Sequence, residues 1–241
     1  MKKLPLKFIW IMTCSAGITA YYSLKTLIYA WMKSNPDTLS RIITTWAKAL
    51  LQVIDVRCEV IELQPVTLPA NMPIIFMSNH SSLYDIPVLL VSLPGTVRMI
   101  AKKELFKVPL WGHAMQQSDF VSIDRDNAAQ ALQDLDLAAQ KMKRGVRLWI
   151  APEGTRSHDG QLHAFKKGAF NLAIQTGATI VPITIKGTDQ LLPAKTWQFK
   201  QGQTVKIYLG EPIDASAYTL KDRMKLLQRV REAILLPYNT I

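Results

Sequence analysis

A histidine and a carboxylate stand five residues apart in the polar turn Asn79-His80-Ser81-Ser82-Leu83-Tyr84-Asp85. An imidazole titrates near neutrality and can take a proton from a hydroxyl, while a carboxylate on its other nitrogen fixes the tautomer and steadies the imidazolium that forms. That chemistry requires no metal. The turn follows the apolar run Pro73-Ile74-Ile75-Phe76-Met77 and leads into Asp85-Ile86-Pro87-Val88-Leu89-Leu90, which is expected to open a helix. Such a turn can fold back until His80 and Asp85 meet. The competing reading is structural: His80 ends a strand and Asp85 N-caps the next helix, with Pro87 in its first turn.

A second polar loop is placed in the same way. Val146-Arg147-Leu148-Trp149-Ile150-Ala151 runs into Pro152-Glu153-Gly154-Thr155-Arg156-Ser157. In open α/β sheets the ligand crevice lies at the carboxyl ends of the strands, so both loops can line one pocket. Arg125 and Arg156 each follow a strand-like run, and a guanidinium grips phosphate through two parallel charge-assisted hydrogen bonds. A lone Arg on a loop is more often a solvated surface charge. Glu153 is either a second acid/base group or a brace for loop amides or Arg156, and Gly154 permits a tight turn. Lys166 and Lys167 add charge ahead of a helix through Gln175 and read as surface residues.

These blocks resemble a known family. His80 to Asp85 matches the H-x-x-x-x-D signature of the glycerolipid acyltransferases, and Glu153-Gly154-Thr155-Arg156 matches their E-G-T-R block. Lys103-Glu104-Leu105 with Pro109 and Gly112, followed by Phe120-Val121-Ser122-Ile123-Asp124-Arg125, resembles the second block, and Val181-Pro182-Ile183 the fourth. The order agrees, and the pattern is most similar to that of bacterial 1-acyl-sn-glycerol-3-phosphate acyltransferases. Ala151 departs from it, standing where an aromatic usually precedes Pro-Glu-Gly.

The resemblance implies transfer of a fatty acyl chain from an acyl thioester, on CoA or acyl carrier protein, to the sn-2 hydroxyl of lysophosphatidic acid. It implies His80 as general base with Asp85 behind it. Substrate is bound by Lys103, Arg125, Glu153, Gly154, Thr155 and Arg156, with Arg125 and Arg156 on the acceptor phosphate. No cofactor or metal is implied. Ser81 or Ser82 as a covalent nucleophile is a weaker alternative. Another lyso-lipid acceptor, such as lyso-ornithine lipid or a lysophospholipid, stays open, as does a non-catalytic basic membrane-binding module.

Composition bears on where this happens. The net charge is +11 over 241 residues, yet no nucleic-acid motif is present. Residues 1 to 54 carry seven Lys/Arg against the single acid Asp37, so over half of the excess lies in under a quarter of the length. From Phe8 to Leu24 there is no charge, and apolar character resumes after Lys25 through Met32. That makes a borderline membrane span, since roughly 20 apolar residues are needed. A cleaved secretory signal, with Lys2 and Lys3 before the apolar run, is the rival. Leu39, Ile42, Ile43, Trp46, Ala47, Leu50, Leu51 and Ile54 fall on one helical face. That stripe could pack on the domain core, but beside a cationic, apolar N-terminus it reads better as lying in an anionic headgroup layer. The expectation is a membrane-associated helical pair over 1–54, then an acyltransferase domain over 55–241. The active site is expected to face the cytoplasm from the inner membrane.

Beyond residue 60 the chain alternates in the α/β manner. Strands are predicted at 73–78, 96–101, 119–123, 146–151, 179–185 and 203–209, and helices at 85–92, 127–144, 167–176 and 219–236. This predicts a largely parallel sheet flanked by helices. Cys14 and Cys58 are too few for a disulfide framework, and the four histidines, lacking H-E-x-x-H or paired Cys spacing, are not expected to form a zinc site.

Overall fold

In a computed structural model, residues 6–68, 72–193, 196 and 198–240 are described; Lys2 and Lys3 lie outside them. Eight strands form one sheet: β1 (Arg57–Glu62), β2 (Ile74–Ser78), β3 (Val97–Lys102), β4 (Val121–Ile123), β5 (Arg147–Ile150), β6 (Thr179–Lys186), β7 (Thr204–Leu209) and β8 (Ile213–Asp214). Their order is β1-β7-β6-β2-β5-β3-β4, with β8 paired to β6. From β6 through β4 every pairing is parallel, while β7 and β8 run antiparallel to β6. The carboxyl ends of β2, β3, β4 and β5 therefore point to one edge.

The central strands are buried on both faces, as parallel strands covered by helices must be. Successive side chains alternate between two cores. Ile74 and Phe76 of β2 pack with Met99, Trp149 and Val181 on one side, and Ile75 and Met77 pack with Leu148, Ile150 and Ile180 on the other. The first side is closed by α2 (Pro36–Val53), α3 (Asp85–Ser92) and α4 (Trp111–Gln117). The second is closed by α5 (Ala128–Lys143), α6 (Gly168–Thr176) and α8 (Arg223–Thr240); α7 is the single turn Thr188–Leu191.

The N-terminal pair is α1 (Leu6–Trp31) and α2. Asn35 caps α2 by accepting from Asp37 N at 2.9 Å, with Pro36 in the first turn. The apolar stripe of α2 is spent on protein: Ile43, Ala47, Leu51 and Ile54 sit in the same core as Phe76, Val88 and Leu89. This corrects the headgroup-layer placement expected from the sequence: the stripe covers the domain core instead of lipid. Arg98 of β3 fastens α2 from below. Its Nη2 donates to Ser40 Oγ at 2.9 Å, Nη1 to Val97 O at 2.8 Å, and Nε to Ser118 O, with the guanidinium over the Phe120 ring. Burial lowers its pKa to about 10, so it stays a cation at neutral pH.

On α1 the situation is reversed. Phe8, Ile11, Ser23 and Thr26 face the protein, while Ile9, Trp10, Met12, Tyr21, Leu24, Ile28 and Trp31 are exposed, Trp31 at 85%. Among the described residues no helix is long and apolar enough to cross a membrane.

Three differences from the sequence expectation have physical causes. β1 was not anticipated because it is an edge strand, paired only with β7 and largely exposed, so it lacks an apolar pattern. α4 is a seven-residue helix following a 3-10 turn at Lys103–Lys107, too short for periodicity to register. α8 begins at Arg223 because Thr219 N and Oγ1 both bond Asp222 Oδ2 in a turn before it.

Candidate active site

The turn after β2 brings His80 and Asp85 together. His80 Nδ1 lies 2.7 Å from Asp85 Oδ2, and that oxygen also accepts from Ser81 N at 2.8 Å and Ser82 N at 3.0 Å. A carboxylate oxygen facing two amide donors is held as an acceptor, so Nδ1 carries the proton and Nε2 is left free as a base. Asp85 is the first residue of α3, and Tyr84 occupies the cap position. Its carboxylate thus serves the upstream turn rather than capping the helix. Asp85 is 0% exposed, while the imidazole retains an open edge at 17%.

Further bonds hold the turn in place. Glu153 accepts from His80 N at 3.0 Å through Oε1 and from His163 N at 2.9 Å through Oε2, joining the loops after β2 and β5. Desolvation raises the Glu153 pKa, against the pull of those two amides. Asn79 is tied to β6, donating to Ile185 O at 2.9 Å and accepting from Ile185 N at 2.8 Å. Its amide also donates to Tyr238 Oη of α8 at 2.9 Å, and burial pushes that phenol up to about 12, so it stays neutral. Trp149 stands edge-on to the His80 ring at 5.8 Å and donates from Nε1 to Ser78 Oγ at 2.9 Å.

His80 opens onto a cavity of about 480 Å³ at the shared carboxyl edge of β2, β3, β4 and β5. Its apolar wall includes Leu83, Ile86, Met99, Leu105 and Trp149. Its cations are Arg125, Arg156, Lys102 and Lys166, and Gly154 and Thr155 complete that side. Gly154 takes a positive φ of 71°, and its carbonyl accepts from Arg125 Nη1. A Cβ there would meet Lys166 Cε at 2.8 Å and Cδ at 2.9 Å, so a side chain would displace that lysine.

Two of the substrate-binding candidates sit outside the cavity lining. Lys103 Nζ is committed to Asp124 Oδ2 at 2.6 Å; this hydrogen bond raises the lysine pKa and lowers that of the aspartate. Because Asp124 precedes Arg125, Lys103 shapes the arginine loop instead of reaching the cavity. Glu153, 3% exposed, is the amide brace described above.

A family model described as Acyltransferase matches residues 59–186, a stretch that includes the His80 turn, Arg125 and the Glu153–Arg156 loop. The chain belongs to the acyltransferase family. It is 35% identical over 147 residues to a chloroplastic 1-acyl-sn-glycerol-3-phosphate acyltransferase of Arabidopsis thaliana, covering 61% of this chain and 41% of that one. It is 33% identical over 174 residues to the human 1-acyl-sn-glycerol-3-phosphate acyltransferase alpha, covering 72% of this chain and 61% of that one. The match thus spans roughly two fifths to three fifths of these relatives. The solved structure of the 1-acyl-sn-glycerophosphate acyltransferase from Thermotoga maritima superposes with a TM-score of 0.74 at 27% identity over 94% of each chain.

An acyltransferase has to hold an apolar chain and a polar acceptor beside one base, and this cavity has an apolar wall, a cationic wall and His80. Asn79 and Trp149 were not singled out by sequence because their partners, Ile185 and Ser78, become neighbours only in the sheet. Lys166 reads as surface charge from sequence but lines the cavity.

Proposed function

We propose that this acyltransferase moves a fatty acyl chain from an acyl thioester, on CoA or acyl carrier protein, to the sn-2 hydroxyl of lysophosphatidic acid, giving phosphatidic acid. The observation that carries this reading is the His80–Asp85 pair opening onto a cavity whose far side presents Arg125 and Arg156. His80 Nε2 takes the hydroxyl proton as that oxygen attacks the thioester carbonyl. The tetrahedral intermediate then expels the thiolate, which takes the proton back from the imidazolium, and Asp85 balances the charge meanwhile. Arg125 and Arg156 hold the acceptor phosphate, helped by Lys166. The relatives named for this activity support the choice of acceptor.

The exposed apolar face of α1 supports seating on a membrane, with Trp10 and Trp31 entering the headgroup region and the basic excess of residues 1–54 drawn to anionic lipid. We place the enzyme on the cytoplasmic face of the inner membrane, where acyl thioesters are available. The deciding experiment is an acyl-transfer panel with each thioester against lysophosphatidic acid, a lysophospholipid and lyso-ornithine lipid. Lysophosphatidic acid should be used best. Equal or faster use of a phosphate-free acceptor would overturn the reading. In parallel, the protein should sediment with anionic liposomes and resist complete release by salt, because apolar burial is not screened. Trp10→Ser with Trp31→Ser should weaken that binding.

A further inference from the structure

We propose that the loop between β5 and α6 holds a divalent transition-metal ion of the Zn2+ or Ni2+ class on His158, Asp159 and His163. Each of these side chains offers one ligand atom, and the three atoms lie within 4.8 Å of one another. His163 Nε2 is 3.1 Å from Asp159 Oδ1, close to the spacing of two ligands that share an ion at roughly 2.0–2.2 Å. The two imidazole rings are 6.0 Å apart, centre to centre, and tilted by 43°. His158, whose ring is exposed, would have to turn to share that ion. Two imidazoles with one carboxylate suit Zn2+, Ni2+ or Cu2+, whereas Mg2+ and Ca2+ call for oxygen shells.

The neighbouring bonds orient these ligands as outer partners of metal sites do. Asp159 Oδ1 accepts from Ser157 Oγ at 2.9 Å and from Gln161 N at 3.1 Å. Arg231 of α8 clamps the carbonyls of Leu162 and His163 at 2.7 and 2.5 Å and lies over the Phe165 ring. One end of the loop is thus fixed, while His158 and Asp159 stay open to solvent.

The cluster lies outside the lining of the acyl-transfer cavity, yet it is linked to the base. His163 N and His80 N are bound by the two oxygens of the same Glu153 carboxylate, and Ser157 N donates to His80 O at 2.7 Å. An ion bridging His158 and His163 would close the segment between these two attachments and stiffen the brace on His80.

The test uses the full-length protein in detergent, stripped with chelator and titrated calorimetrically with Zn2+. Saturable binding of one ion per chain is expected, with a Kd in the micromolar range. His158→Ala and His163→Ala should each weaken it at least about tenfold. His113→Ala, on α4, should not. Amide exchange over 157–163 should slow with Zn2+ in the parent and not in the variants. Unchanged affinity in the double variant, absence of saturable binding, or loss of binding in His80→Ala alone would each overturn the assignment, the last by placing the ion at the catalytic pair.

Discussion

The two ends of the cavity are built on different terms. At the base end, Asp85 is fully buried and one of its oxygens faces the imidazole and two amides, while Glu153 and Asn79 hold the backbone on either side. At the cationic end, Arg125 makes one bond to a carbonyl and Lys166 is exposed. Proton transfer fails with small errors of position, whereas a doubly charged phosphate can be gathered by mobile side chains. The chain accordingly spends its buried polar groups on the histidine and leaves the cationic groups freer to adapt.

Removing the base should give the largest effect. His80→Ala should lower kcat about 10²–10⁴-fold with the thermal midpoint little changed, measured by steady-state kinetics beside a melting curve. Near-normal turnover in the folded variant would break the proposed mechanism. Asp85→Asn should follow closely in turnover and, unlike His80→Ala, should also destabilise the fold. The amide keeps its oxygen toward Ser81 N and Ser82 N and puts its NH2 where Oδ1 has no partner, leaving a buried donor unmade at about 1–3 kcal/mol. Chemical denaturation separates the two variants.

At the other end the losses should appear in KM. Arg156→Ala should raise KM for lysophosphatidic acid about tenfold or more with kcat nearly kept, since a bond to a charged group is worth about 1.5–3 kcal/mol and acts in ground and transition states alike. Arg125→Ala should lower kcat as well, because it releases the Gly154 carbonyl and with it the β5 loop. Lysine should rescue either position only in part. If both Ala variants lose kcat alone, the division between the two ends is wrong.

The smallest effect concerns Glu153. Its pKa is raised on folding, so the folded state holds that proton more tightly than the unfolded chain does. The associated stability is complete below the unfolded pKa and is lost as pH rises through the folded one. Relative to Glu153→Gln, which does not titrate there, the parent should lose stability from about pH 4 upward. A difference that stays flat or grows with pH would show that the two amide bonds outweigh desolvation.

What could be read from the sequence followed the range of each interaction. His80 and Asp85 are five residues apart, so strand, turn and helix signals allow them to meet, although the same signals also fit a plain helix cap at Asp85. The buried central strands were equally legible, because double-sided burial leaves an unbroken apolar run. Glu153 was ambiguous because its partners lie 73 and 10 residues away, and no local pattern tells a carboxylate which amides it will find. Lys103 reads as a substrate-binding residue for the same reason: Asp124, its ion-pair partner, stands beyond a helix in the chain. The stripe on α2 was visible, but amphipathicity says only that a face is covered, not by what.

The buried Arg98 has a mechanical consequence. This one guanidinium bonds α2 and the end of α4 to β3, and α1 packs on α2 and α4, so direct contacts link the outward face of α1 to the sheet that carries the His80 turn. With α1 seated in a bilayer, the height of His80 above the lipid becomes a constant of the fold. Under the proposed seating the acceptor would be lifted to a fixed working level, which a loose tether between α1 and the sheet would not set.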